Sequence, residues 1–438
     1  MSSATLRGRV VGPDGSVIPK ARVRLANPIS GQTAETTTDE EGVFSFFNLP
    51  HNAFILTIEA VGFAKLTRNL DVHGDGTMEL GDLSLSVNEL QESVSITANE
   101  SLLETDNTSS HHDIDQSLVE HLPTAVASRG MEQIMLATPG FIADENGRFH
   151  FRGSHGQVSY VVDGVPINDQ MDVTFSNSLD PTTLSALEIT TGGIPAEYGD
   201  RAAAVKVTTK SGLESKRQFF GEASYGLSSF NTNEAAVKFG GSTPNKRFGY
   251  FTSLAGSVSD RFLDPINFDN LHNNGNSQSF FSRFDFQAAA RDTLTLNLAL
   301  GRTDHEVPNL LSQEAAGQDQ SVLLRDGSIN LGWQHVIDNH AFFEVRSFYR
   351  SSQQQLFGSE FDTPITASYD RRLANYGVTA NFNYDRGQHR FKTGITTSAF
   401  PLRENLDFSI TSATFNAPFL TPGGAPDPAD NPANFNNP

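Results

Sequence analysis

The feature that most restricts this chain is a strict two-residue alternation, repeated through strand-length segments after about residue 215. Phe280, Phe284, Phe286, Ala288 and Ala290 share one face with Ser282, whereas Arg283, Asp285, Gln287 and Arg291 share the other with Phe281. Leu294, Leu296, Leu298 and Leu300 are opposed by Thr293, Thr295, Asn297 and Ala299. The same separation recurs at Phe248, Tyr250, Leu254 and Val258, at Ile329, Leu331, Trp333 and Ile337, and at Phe343, Val345 and Tyr349 against Glu344, Arg346 and Arg350. It returns at Tyr376, Val378, Ala380, Phe382 and Tyr384. Successive side chains of a strand point to opposite faces, so each segment has one apolar and one polar side. Short links at Thr243-Pro244-Asn245-Lys246, Ala290-Arg291-Asp292 and Asp385-Arg386-Gly387-Gln388 contrast with longer connections at 259–277, 302–321 and 351–370. That rhythm fits an antiparallel transmembrane β-barrel, with short turns on the periplasmic side and long loops outside. A soluble sandwich with one wet face predicts no such asymmetry. A charge at the lipid midplane costs about 2–4 kcal/mol, enough to cancel the burial of one Phe, so the polar parity is assigned to the lumen.

Composition agrees with this reading. No run approaches the roughly 18 consecutive apolar residues of a membrane helix, and a mean hydropathy of -0.33 is what alternating strands average to. The 438 residues exceed one ordinary domain, and 33 Phe stand against a single Trp. The absence of Cys removes disulfides and thiolate metal sites and suits an oxidising envelope compartment. A net charge of -20, from 31 basic and 51 acidic residues, disfavours nucleic acid as a partner. The opening MSSATLRGRVVGPDG has no basic and apolar leader, and Thr5 to Val11 already reads as a strand. An upstream start is therefore expected to be missing.

Residues 4 to 87 read as short strands between turn signals, the pattern of a small all-β sandwich. Gly12-Pro13-Asp14-Gly15 reverses the chain after the first strand, and Asp39-Glu40-Glu41-Gly42 does so before Val43-Phe44-Ser45-Phe46. From Ala53 to Val61, Phe54, Leu56 and Ile58 alternate with Ile55, Thr57 and Glu59, as a central strand requires. The stretches GRVVGPDGSVIPKARVRLAN, TTTDEEGVFSFFNLP and FILTIEAVGF resemble the carboxypeptidase regulatory-like domain, a transthyretin-like β-sandwich. The name carries no peptidase activity, and the chain has no H-x-x-E pair to supply two zinc ligands. Asp14 and Asp39 are read as turn formers rather than calcium ligands.

An acidic, polar linker follows, LQESVSITANESLLETDNTSS, with one alternating island. Glu92, Ser93, Val94, Ser95, Ile96, Thr97 and Ala98 resemble a TonB box, a segment that adds a strand to the sheet of an inner-membrane partner. A plain linker strand, or the last strand of the sandwich, accounts for the island equally well.

Between Asp113 and Gly212 the pattern is mixed. QSLVEHLP and SRGMEQIMLATPG are spaced as short helices, Phe149 to Arg152 and Val158 to Val162 as strands, and Asp163-Gly164-Val165-Pro166 as a tight turn. LDPTTLSALEITTGG reads as a helical turn and a strand, and Pro195-Ala196-Glu197-Tyr198-Gly199 precedes a strand from Ala204 to Thr209. Together FHFRGSHGQVSYVVDGVPIND, LEITTGGIPAEYGDRAAAVKVTTKSG and LPTAVASRGMEQIMLATPGF resemble the plug of TonB-dependent outer-membrane receptors. The residues carrying the likeness are Arg152, Gly153, Asp163, Gly164, Val165, Pro166, Glu197, Tyr198, Gly199 and Arg201. A glycine pair the family places near Ala202-Ala203 is absent, which alters the close backbone approach it would permit. Arg152, Glu197 and Arg201 are expected to pair with the barrel's polar inner wall. His111, His112 and His155 are scattered histidines rather than a metal site.

The expected organisation is a mainly β, multidomain chain: a sandwich at 1–88, a linker with the candidate box at 89–110, a plug at 111–212, and the first strands of a barrel at 213–438. About nine strands precede TPGGAPDPADNPANFNNP, which reads as an unfinished external loop. Plugged transporters use about 22 strands, so the chain is expected to be an N-terminal fragment. The resemblance implies an outer-membrane receptor of the Oar-like group. It would bind an external nutrient and import it with energy from a TonB-type partner, the plug gating the barrel, with the sandwich and linker on the periplasmic side. An Oar-like surface or adhesion protein, and a non-transporting periplasmic module, are the competing expectations. No enzyme activity, cofactor or metal is expected, because no nucleophile, base and orienting group fall at a recognisable spacing.

Overall fold

A computed structural model of the chain describes residues 4–26, 33–49, 52–72, 77–87, 95–96, 110–115, 130–143, 149–152, 158–167, 179–199, 201–215, 217–263, 269–386 and 389–411. The structure is mainly β and multidomain. Its first unit is a two-sheet sandwich built from β1 (Ala4–Val11), β2 (Arg22–Ala26), β3 (Thr33–Thr37), β4 (Val43–Leu49), β5 (Asn52–Glu59), β6 (Leu66–Val72) and β7 (Thr77–Ser84). One sheet has the order β4-β1-β7; the other is β3-β2-β5-β6, with a two-residue strand, β8 (Ser95–Ile96), added to the edge of β6. Phe44, Leu6, Leu25, Leu56 and Ile58 close the core between the sheets. The turn carboxylates act as the sequence expects: Asp14 Oδ1 accepts from the Ser16 amide, and Asp39 Oδ1 from the Val43 amide at 2.8 Å.

The middle unit is a five-stranded sheet of order β13-β12-β15-β14-β9. Its strands are β9 (Ser110–Asp115), β12 (Val158–Val162), β13 (Val165–Ile167), β14 (Leu184–Gly192) and β15 (Ala203–Thr209), with a small hairpin of β10 (Phe141–Ala143) and β11 (Phe149–Phe151). Helix α1 (Gly130–Leu136) packs Met131, Ile134 and Met135 into the same core as Val205, Val207 and Leu187. The expected helix over QSLVEHLP lies outside the described residues. Buried on every residue, β15 lies between β12 and β14 at the centre of the sheet.

The third unit is one antiparallel sheet in sequential order: β16 (Phe220–Ser228), β17 (Thr232–Ser242), β18 (Phe248–Ser259), β19 (Gly275–Ala289), β20 (Asp292–Glu306), β21 (Ser321–Val336), β22 (Ala341–Phe357), β23 (Ile365–Arg386) and β24 (His389–Ala399). β25 (Leu402–Ile410) pairs with the first half of β23, and β24 with its second half. These last two strands run end to end with a break at Phe400-Pro401, so ten strands make nine staves. The sheet is inside out by the standard of a soluble protein. Leu254, Phe286, Leu300, Ile329, Leu331, Trp333 and Val378 are exposed, while Arg283, Asp285, Thr295, Asn297, Gln334 and Arg346 are buried. That distribution belongs to a partial barrel wall folded around the middle unit.

Two connections differ from the sequence expectation. The loop expected at 351–370 shrinks to 358–364, because β22 and β23 run on past the point where the outward apolar alternation stops. The connection expected at 302–321 begins later, since β20 continues to Glu306, and it holds a short helix, α2 (Leu311–Ala315). Strand length here exceeds what crossing a bilayer requires, about 9–11 residues.

Candidate functional site

The site lies where the middle unit meets the inner wall. Asp163 and Gly164 both have positive φ, 45° and 78°, and join β12 to β13 as a two-residue turn. Asp-Gly is the pair that such a hairpin turn favours, because both central residues must be left-handed. The turn aims the Asp163 carboxylate back across the sheet. Its Oδ1 accepts from the Thr209 amide at 3.0 Å, and its Oδ2 from the Thr209 hydroxyl at 2.6 Å.

The wall completes the cluster. Asn297 Nδ2 donates to Asp163 Oδ2 at 2.5 Å, and Arg283 Nη1 stands 3.4 Å from Asp163 Oδ1 and donates to the Thr209 carbonyl at 2.8 Å. The same guanidinium holds Asp285 in a fork, with Nε and Nη2 each at 3.0 Å from a carboxylate oxygen. Asp285 also accepts from Ser211 Oγ at 2.6 Å and Thr295 Oγ1 at 3.1 Å. Two carboxylates and one guanidinium are thus removed from water together. Every carboxylate oxygen has a donor, the condition under which buried charge is tolerated. Just beyond, Gly212 enters the wall so closely that a Cβ there would lie 2.2 Å from the Gly241 and Tyr250 carbonyl oxygens. Only glycine permits that approach.

The remaining expected residues are distributed around this seat. Glu197 accepts from Lys392 Nζ on β24 at 2.7 Å, the ion pair to the wall that its position suggested. Arg152 instead sits over the Phe151 ring, 4.9 Å from its centroid, with positive φ. Tyr198 offers its ring to Lys206, which is buried in an ion pair with Glu188 at 2.5 Å. Val165 is buried, and with Pro166 it lines a cavity facing the wall. Gly199 takes the positive φ that ends a helical turn, and Arg201 is half-buried. Gly153 lies outside the described residues, as do Glu92, Ser93, Val94, Thr97 and Ala98 of the candidate box and His155. Ser95 and Ile96 pair in parallel with Thr67 and Arg68, so this part of the island is an added edge strand of the sandwich. His111 and His112 are successive residues of β9 and so face opposite sides of the sheet, and no cluster of three metal-binding side chains occurs among the described residues.

Sequence reasoning missed Arg283, Asp285 and Asn297 as partners of the Asp-Gly turn. The available signal was Arg283 and Asp285 on the lumen parity of a strand whose other face is apolar. It also missed a seat for the sandwich on the barrel turns. His340 Nε2 lies 2.9 Å from Asp39 Oδ2, Asn339 donates to the Thr37 carbonyl, Arg386 pairs with Glu41 at 3.3 Å, and the rings of Phe47 and Phe342 are 5.1 Å apart.

Two family models match the chain, each over a part of it. Residues 5–86 match the carboxypeptidase regulatory-like domain, and residues 106–205 match the TonB-dependent receptor plug domain. A search of the curated proteins finds no match. Among solved structures, the unliganded ferric citrate transporter FecA is similar at 16% identity and a TM-score of 0.54, over 70% of this chain and 50% of its own. The ferric yersiniabactin uptake receptor FyuA from Yersinia pestis is similar at 12% identity and a TM-score of 0.55, over 69% and 50%. The alcaligin outer-membrane receptor FauA from Bordetella pertussis follows at 12% and 0.52, over 70% and 49%. At these identities the likeness is one of fold, and the chain spans about half the length of the structures it matches.

Proposed function

We propose that this chain, a TonB-dependent receptor plug domain seated in a partial barrel behind a carboxypeptidase regulatory-like sandwich, acts in an outer-membrane receptor that imports an external ligand. The observation that carries the reading is the inside-out sheet whose polar face is occupied by the plug. A wall with Leu, Phe and Trp outward and Arg, Asp and Asn inward is stable only with lipid on one side and a polar filling on the other. The filling is held by ionic and hydrogen-bonded contacts at Arg283, Asp285, Ser211 and Lys392, beside a small cavity that Val165, Pro166, Phe281 and Ala299 line. Such contacts exchange with water when broken, so a pull on the plug meets a lower cost than separating buried hydrocarbon. The partner is a TonB-type protein, engaged through the box at 92–98.

The test is uptake measured in cells that express the receptor with and without the energy-coupling protein, and with Ile96→Pro in the box. Partner-dependent uptake lost in the variant supports the reading. Uptake indifferent to both changes removes it in favour of a surface protein that does not transport.

A further inference from the structure

Two arginines stand on the rim of the wall that carries the short turns, and their place is set by register. Phe248, Phe286, Leu294 and Trp333 are partners in series across β18, β19, β20 and β21, so they form one outward rung. Arg247 directly precedes Phe248, and Arg291 lies three residues before Leu294, in the β19–β20 turn. At about 3.4 Å per residue, both stand within about 10 Å of that apolar rung. Trp333, the single Trp of the chain, is 39% exposed there, and such rings settle at the level of lipid headgroups.

Backbone holds both guanidiniums in position. Arg247 Nε and Nη2 donate to the Gln287 and Ala288 carbonyls at 3.3 and 2.9 Å, and Arg291 Nη1 donates to the Ile337 carbonyl at 2.7 Å. Both side chains are exposed, and among the described residues no carboxylate pairs with either. The other charges of the rim are already engaged. Arg386 pairs with Glu41, Lys246 donates to the Leu213 and Ser215 carbonyls, and Asp292 is bonded to Trp333 and His335. The opposite end of the wall has the reverse sign, with Asp260, Glu306, Glu314, Asp319 and Glu360 around Arg261. In a chain of net charge -20, two uncompensated cations beside an apolar rung are a local feature of this rim and not a consequence of composition.

We propose that Arg247 and Arg291 bind the phosphate of an anionic phospholipid in the leaflet that meets the short turns, with its acyl chains against Phe248, Phe286 and Trp333. Guanidinium N–H groups match phosphate oxygens in geometry and charge, and the carbonyl anchors remove in advance part of the side-chain freedom that binding costs. A zwitterionic lipid offers the same phosphate beside its own cation, which the arginines repel, so the site selects net negative charge. Each arginine near an anionic surface favours it about fivefold.

Trp333 supplies the reporter for the test. The full chain is reconstituted in phosphatidylcholine vesicles in which a fixed fraction of the lipid is brominated phosphatidylglycerol or, in parallel, brominated phosphatidylcholine, and quenching of the tryptophan emission is measured. Stronger quenching by phosphatidylglycerol is expected, with a relative affinity of about fivefold or more. That preference should vanish in Arg247→Gln with Arg291→Gln and persist in Arg261→Gln. Each rim arginine is also replaced singly, so that a double variant without a thermal transition still leaves folded proteins to read. Equal quenching by the two lipids, a preference retained in the folded rim variants, or its loss on adding inorganic phosphate overturns the proposal, the last in favour of a soluble anion. The site rests on the reading that lipid covers the outward face. Equal quenching leaves that reading intact and removes the site alone, whereas no quenching by either lipid removes both.

Discussion

Arg283 is the residue on which the seat depends, since it is the cation shared by two buried carboxylates that come from different domains. Removing one member of a buried ionic cluster leaves uncompensated charge and costs about 3–5 kcal/mol. Arg283→Met is therefore expected to loosen the plug by an amount of that order, read as faster hydrogen exchange at the Thr209 amide, which Asp163 binds. Unchanged protection there would show that the hydrogen bonds of Thr209 and Asn297 hold the turn alone. A second residue sets a pH dependence. His272, in the connection after β18, is pushed down by burial but raised further by the Val307 carbonyl, Asp319 and Glu306, so it stands above the ordinary histidine value. Its Nε2 lies 2.8 Å from Asp319, joining the long connections that follow β18 and β20. A raised folded value means that the clasp is fully present below the unfolded pKa, about 6.5, and is lost as pH rises through the folded one. Proteolysis of these connections is expected to speed up across that rise, and His272→Gln to abolish the trend.

At the scale of elements, the edge position of β9 decides how the plug responds to load. Among the described residues β9 pairs only with β14, whereas β15 has neighbours on both sides and leads directly into the Ser211 and Gly212 contacts with the wall. Tension arriving from the linker at 89–110 should therefore strip β9 first. His111 and Thr190 are register partners, and the chain has no other cysteine to compete. A disulfide from His111→Cys with Thr190→Cys is expected to block partner-driven uptake under oxidising conditions and to restore it on reduction. Uptake that continues in the oxidised protein would mean that β9 stays in place during transport. The elements themselves were unevenly legible. Strands such as β19 and β20 follow from alternation because lipid and a polar interior demand opposite residues on their two faces. The length of β22 and β23 was hidden, because towards the 358–364 connection the outward apolar alternation stops and SSQQQLF loses the pattern altogether. The Asp163 turn was readable from Asp-Gly, yet its partner lies 120 residues away on a strand where Arg283 looks like any lumen-facing charge. Nothing local marks such a pair.

At the scale of the whole molecule, the sandwich is docked on the barrel turns and holds Ser95–Ile96 along β6. Among the described residues the seat is small and mostly polar: a histidine–carboxylate contact, hydrogen bonds of Asn339 with Thr36 and Thr37, an exposed ion pair and a ring pair. Exposed ion pairs contribute about 0–1 kcal/mol and a ring pair about 0.5–1.5 kcal/mol, so the docked and released arrangements lie within a few kcal/mol of each other. The candidate box also cannot pair with β6 and with a partner's sheet along the same backbone edge. Both observations make the sandwich a removable cover rather than a fixed foundation. Phe47→Ala with His340→Ala is expected to free it without unfolding it, because neither residue belongs to the sandwich core. The measurement is a distance distribution between spin labels on the sandwich and on the β21–β22 turn. It should broaden in the double variant while the sandwich keeps its own thermal transition. A distribution as narrow as in the parent protein would place the holding contacts elsewhere and make the sandwich a rigid part of the face that carries the short turns.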